Sequence, residues 1–165
     1  KKLVGFDSES SRQSRYVSES KICLIQIATE DTALLWKIRS QVPRNSFYLP
    51  ETLVKLIENP KIKKVTQGAA DEVKSLHKEL GLCPAGFVDL MDLSREMKVL
   101  PRNLKALTAI FLGQKLSKRQ QTSQWGFHRL NDDQISYAAT DAWVSLAIWE
   151  KMLYEGKLHI NTLPE

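Results

Sequence analysis

The chain has 165 residues, 42% hydrophobic and 26% charged, with a net charge of +5 and two cysteines. A chain of that length buries its own core without covalent staples, and this composition excludes a disordered or disulfide-built protein. No apolar run nears the roughly 20 residues that cross a bilayer as a helix, so no membrane role is expected, and the mild positive charge suits an acidic polymer as partner. Residues 1–165 are expected to form a single domain, and because the sequence enters an apolar segment directly from Lys1, that domain reads as cut from a longer chain. Cys23 sits in an apolar run and Cys83 beside Pro84, without zinc-type spacing, so both read as reduced thiols.

Leu3 to Glu9 reads as a short strand, and Ser10 to Ser20 as a polar loop in which no period survives. Branched apolar residues from Ile22 to Thr29 predict a strand covered on both faces, with Glu30 and Asp31 turning into a second strand over Thr32 to Trp36. Leu49 to Ile57 has helical spacing and stops near Asn59 and Pro60. Lys64 to Thr66 reads as a short strand, followed after Gln67 and Gly68 by a helix over Asp71 to Leu80 that stops at Gly81. Phe87 to Leu90 is too short to assign. Leu104 to Leu112, with Gly113 behind it, reads as a helix, and Lys115 to Trp125 as a basic loop. In the last helix Asn131 is the cap, Gln134 closes a capping box, and Leu130 is placed to staple onto Ile135. Ile135, Ala138, Ala142, Leu146, Trp149 and Leu153 then form the expected core-facing stripe. Strands first and helices later predict a mixed α/β layer fold.

Asp7 and Glu9 are two apart on a predicted strand, so both carboxylates share one face and can share one hard cation. A single pair of this kind is more often a solvated strand end. Asp71 opens a predicted helix, where an acid is ordinarily explained by the helix dipole. Tyr137 and Asp141 lie one helical turn apart and can reach the same point, and Asp141 is set among Ala138, Ala139, Ala142 and Trp143, unusual company for a merely solvated acid. Lys115, Lys118 and Arg119, with Gln121 and Trp125, could hold phosphates and stack a base. The bland reading of the same stretch is a solvated loop with a core tryptophan.

Taken together, these pieces resemble the three motifs of the DEDD 3′-5′ exonucleases, the family of ribonuclease D and the Werner syndrome exonuclease domain. VGFDSE (Val4 to Glu9) resembles the first motif, GAADEVKSL (Gly68 to Leu76) is similar to the second and carries Asp71, and YAATD (Tyr137 to Asp141) matches the third in its tyrosine subtype. The histidine subtype would need a His where Ser136 stands. QTSQW (Gln121 to Trp125) resembles the stretch before the third motif in Werner-like members, whereas Gln67 and Gly68 depart from many relatives.

The resemblance implies a ribonuclease H-like fold, a central mixed β-sheet flanked by helices, and a hydrolase that releases nucleoside 5′-monophosphates from DNA or RNA with a free 3′ end. It implies two divalent cations, Mg2+ or Mn2+: Asp7 bridging both, Glu9 and Asp141 completing one site, Asp71 holding the second largely through water, and Tyr137 orienting the nucleophile. It leaves room for a helicase or other processing partner and implies an intracellular setting, cytoplasmic in a bacterium or nuclear in a eukaryote. The alternative is a catalytically silent nucleic-acid-binding module of the same fold. Oligomeric state, and DNA against RNA, are left open.

Overall fold

The computed structural model describes residues 2–11, 21–38, 40–41 and 46–154; most of the expected loop from Ser10 to Ser20 lies outside the described residues. In chain order the elements are β1 (Leu3–Ser10), β2 (Ile22–Ala28), β3 (Ala33–Lys37), β4 (Ser40–Gln41), β5 (Ser46–Phe47), α1 (Glu51–Glu58), β6 (Lys63–Thr66), α2 (Ala69–Leu80), β7 (Phe87–Asp89), α3 (Leu90–Glu96), α4 (Leu104–Leu112) and α5 (Asp132–Tyr154). β4 and β5 form a separate ribbon, and the main sheet has the order β3-β2-β1-β6-β7. β1, β2 and β3 pair antiparallel, whereas β6 and β7 are joined in parallel fashion next to β1. The sheet is therefore mixed, as the family resemblance implies.

All seven residues of β2 are buried, which explains its branched apolar residues on both faces. On one face Val4, Phe6, Ile25 and Ile27 pack with Leu53 and Ile57 of α1 and Leu76 and Leu80 of α2. On the other, Val65 joins a core shared by α3, α4 and α5, built on Leu90, Leu107, Phe111, Ile148 and Trp149. Each such fully buried side chain contributes on the order of 1.5–3 kcal/mol.

Phe87 to Leu90 resolves into β7 followed at once by α3, which short apolar runs do not reveal. α5 is capped as expected: Asn131 Oδ1 accepts from Gln134 N at 2.8 Å and Gln134 Oε1 accepts from Asn131 N at 3.0 Å. The stripe needs one correction. Ile135 is 44% exposed, and the buried face runs instead through Gln134, Ala138, Asp141, Ala142 and Ser145. Leu130 packs toward Trp125 and Ala138, which lie in the same small cluster. The strand and helix ends nearest one another at this seam, β1 and the first half of α5, carry the acids.

Candidate active site

Gly5 is what lets α5 cross β1. A Cβ built on it would lie 1.9 Å from the Ala142 carbonyl oxygen and 3.2 Å from the Leu146 Cβ, so no other residue fits there without moving the helix. Gly5, Asp7 and Glu9 share one face of β1, and Asp141 is the neighbour of Ala142. The close approach therefore sets Asp141 over Asp7 and Glu9. One carboxylate oxygen from each of Asp7, Glu9 and Asp141 lies within 4.8 Å of the others. Asp141 is only 7% exposed, and its Oδ1 has no hydrogen-bond partner among the described residues.

Charge cannot be comfortable there. Two like charges at that spacing repel by roughly 3 kcal/mol even at an effective dielectric of about 20. Burial, helped by Glu72, Glu9 and Asp141, holds Asp7 well above the usual carboxylate range. Burial and the charges of Asp141 and Glu72 push Glu9 up to about 8. Asp141 rises to about 6, raised by burial and restrained by a hydrogen bond from Tyr137 and the nearby charge of Lys118. Tyr137 itself is pushed well above its ordinary value, by burial first and then by Asp141. Tyr137 and Asp141, one helical turn apart as expected, thus act on each other's ionisation, the phenol favouring the charged carboxylate.

Asp71 is not brought to this trio. α2 begins at Ala69, two residues earlier than expected, and Asp71 stands exposed in its first turn. The acid that faces β1 is its neighbour Glu72, whose Oε2 accepts from the Ser8 hydroxyl at 2.8 Å. Burial raises Glu72 to about 7 against the opposing effect of that hydrogen bond. The signal was present in the spacing: Glu72, Leu76 and Leu80 recur at steps of four, so they share one side, and the two leucines are buried. Asp89, also missed, fixes the start of α2: its carboxylate accepts from Gly68 N at 3.1 Å, Ala69 N at 2.8 Å and Met91 N at 2.8 Å.

The expected grip residues divide. Lys118 and Gln121 line the cleft above Asp7, Glu9 and Asp141, with Tyr137 on its wall. Arg119 lines an adjoining groove beside Tyr137 and Ser136, while Lys115 lies in a separate hollow with Asn103 and Ala109. Trp125 does not offer a stacking face. It is 1% exposed, its ring lies 5.9 Å from that of Tyr137, and its carbonyl oxygen accepts from Lys37 Nζ. It is a core residue that backs Tyr137, because a ring of that size gains more from burial against Cys23, Leu24 and Ala138 than from water.

A mixed sheet whose β1 and crossing helix bring three carboxylates together defines a ribonuclease H-like nuclease domain. The chain belongs to the 3′-5′ exonuclease family, whose family model matches residues 1–157. The mouse bifunctional 3′-5′ exonuclease/ATP-dependent helicase WRN is 30% identical over 155 residues, covering 91% of this chain and 11% of that protein. Among solved structures, Escherichia coli RNase D, an exoribonuclease involved in structured RNA processing, superposes with a TM-score of 0.75 at 20% identity, covering 94% of this chain and 40% of its own. Brucella melitensis NrnC with bound Mg2+ superposes with a TM-score of 0.73 at 20% identity, covering 94% and 76% respectively. The chain spans about a tenth of the length of its WRN relative.

Proposed function

We propose that this chain hydrolyses phosphodiester bonds from the 3′ end of a nucleic acid, releasing nucleoside 5′-monophosphates with the help of two divalent cations, Mg2+ or Mn2+. One observation carries the reading: three carboxylates are held within 4.8 Å of one another, with Asp141 Oδ1 buried and unpartnered among the described residues. A protein maintains such repulsion at a functional site where a cation neutralises it on binding. The donor set fits, being oxygen only, as Mg2+ and Mn2+ prefer.

When bound, the cations supply a clamp on the scissile phosphate and a more acidic attacking water. Asp7, Glu9 and Asp141 present the oxygens that hold one of them. Tyr137, fixed by Asp141 on one side and by the Trp125 ring on the other, is placed to orient the attacking water through its hydroxyl. Lys118 and Gln121 at the rim are placed to position the strand by its phosphates. An unwinding activity, such as the helicase in the name of its WRN relative, would come from another region or partner.

The reading is tested by digesting 5′-labelled DNA and RNA, single-stranded and as recessed duplexes, in Mg2+ and in Mn2+. A ladder shortening from the 3′ end that disappears with EDTA supports it. Tight binding with no shortening on any of these substrates in Mn2+ would identify a silent binding module instead.

A further inference from the structure

We propose that Gln26, in the middle of β2, is a positioning residue for the reaction: with a cation bound, its side-chain amide donates to the Asp7 carboxylate and fixes how that acid is presented. The inference rests on the exonuclease reading, and its grounds are a strand register and an unpaired buried amide.

Gln26 stands directly opposite Asp7 in the antiparallel pairing of β1 with β2. The two side chains therefore leave the sheet on the same face, with Cβ atoms roughly 4.5–5.5 Å apart. That face is the one α5 covers. Ile25 and Ile27 point the other way, into the core with α1 and α2, whereas Leu24, two residues before Gln26, packs with Trp125 and with Ala138 of α5. Along its own strand Gln26 is flanked on this face by Leu24 and Ala28, and its partner across on β3 is Leu35. Of these immediate sheet neighbours, only Asp7 has a side chain that can accept a hydrogen bond.

Gln26 is fully buried, and neither its Nε2 nor its Oε1 has a hydrogen-bond partner among the described residues. An amide left in that state destabilises the fold, and an apolar residue would serve better in a strand otherwise made of Ile, Cys, Leu and Ala. Such an orphaned group calls for a functional account. With one oxygen of Asp7 turned to a cation shared with Glu9 and Asp141, its other oxygen needs a donor, and ligating carboxylates are ordinarily held by such a bond from behind. Gln26 Nε2 supplies it. An amide suits the task because it donates without bringing a positive charge that would compete with the cation. Asp141 belongs to the helix above, whereas the backbone pairing of β1 with β2 holds Gln26 beside Asp7, which makes Asp7 the acceptor.

The experiment titrates Mn2+ alone into wild type and Gln26→Met by electron paramagnetic resonance, beside thermal melts of both in EDTA. Met has nearly the length of Gln and lacks the amide. The variant is expected to melt at or above the wild-type temperature in EDTA, since it loses no hydrogen bond, and to bind Mn2+ about ten- to a hundredfold more weakly. A merely structural Gln26 gives the reverse, a lowered melt with unchanged Mn2+ affinity, and that result overturns the proposal. Wild type offers a second readout that does not depend on the variant: in protein carrying isotope-labelled glutamine, Mg2+ should shift the Gln26 side-chain amide protons downfield in the nuclear magnetic resonance spectrum. Signals that stay in place on saturation with Mg2+ overturn it as well. Digestion from the 3′ end by wild type decides the exonuclease reading separately, so an active wild type with equally tight Mn2+ binding in Gln26→Met sinks this inference alone.

Discussion

A methyl group on Gly5 would sit 1.9 Å from the carbonyl oxygen of Ala142, the residue after Asp141. The backbone contact between β1 and α5 therefore sets the spacing of the acids, and the acids depend on a residue with no functional group. Gly5→Ala is expected to cost about 3 kcal/mol or more, since overpacking against backbone cannot be relieved by a rotamer change. It should also weaken Mn2+ binding more than its loss of stability accounts for. Urea unfolding and metal titration check this together; wild-type affinity in a folded Gly5→Ala would contradict the proposed coupling.

Tyr137→Phe keeps the ring that packs on Trp125 and removes only the hydroxyl donated to Asp141. Loss of an orienting group is expected to lower kcat by about a hundredfold with KM little changed. Steady-state kinetics on a short oligonucleotide separates the two constants.

Trp125→Ala is expected to act through stability, at about 3–5 kcal/mol, because the ring is buried and the cavity left behind is large. The unfolding midpoint should fall steeply. A fully stable variant with weakened oligonucleotide binding would instead restore Trp125 as a stacking residue.

Lys118 lies exposed on the cleft rim, near enough to Asp141 to draw its pKa down. If it meets one phosphate, Lys118→Ala reduces the slope of log affinity against log salt by about 0.7 for a single strand. Lys115, which lies in a separate hollow, should leave that slope unchanged when replaced. Fluorescence anisotropy at several salt concentrations measures both.

The acids also set a pH dependence whose sign is opposite to that of an ordinary salt-bridged carboxylate. Glu9 at about 8, Glu72 at about 7 and Asp141 at about 6 all lie above their ordinary values of 4.5, 4.5 and 3.8, chiefly through burial. A raised folded-state pKa contributes stability below the unfolded value, and that contribution is lost as pH rises through the folded value. In EDTA the Tm should therefore fall between about pH 4 and pH 8. Saturating Mg2+ binds the ionised forms and should remove most of that fall, so a thermal melt series with and without the cation reads the effect directly.

Local periods carried much of this in the sequence. A period of two sufficed to put Asp7 with Glu9, and one helical turn to put Tyr137 with Asp141. The capping box at Asn131 and Gln134 was legible for the same reason, since both partners lie within one turn. What failed was phase. Placing the start of α2 at Asp71 hid the fact that the leucines at 76 and 80 carry Glu72, and not Asp71, toward the sheet. Gly5 was illegible because its partner lies far along the chain, and Asp89 because β7 is only three residues long. Trp125 could be read either way until its neighbours were known.

The most direct measurement follows a 3′-end-labelled oligonucleotide with wild type and Asp7→Asn in Mg2+ or Mn2+. The account predicts that wild type releases the label as a nucleoside 5′-monophosphate in its first turnovers, and that EDTA or Asp7→Asn abolishes the release. Label appearing first in longer internal fragments, or undiminished release by Asp7→Asn, would contradict it.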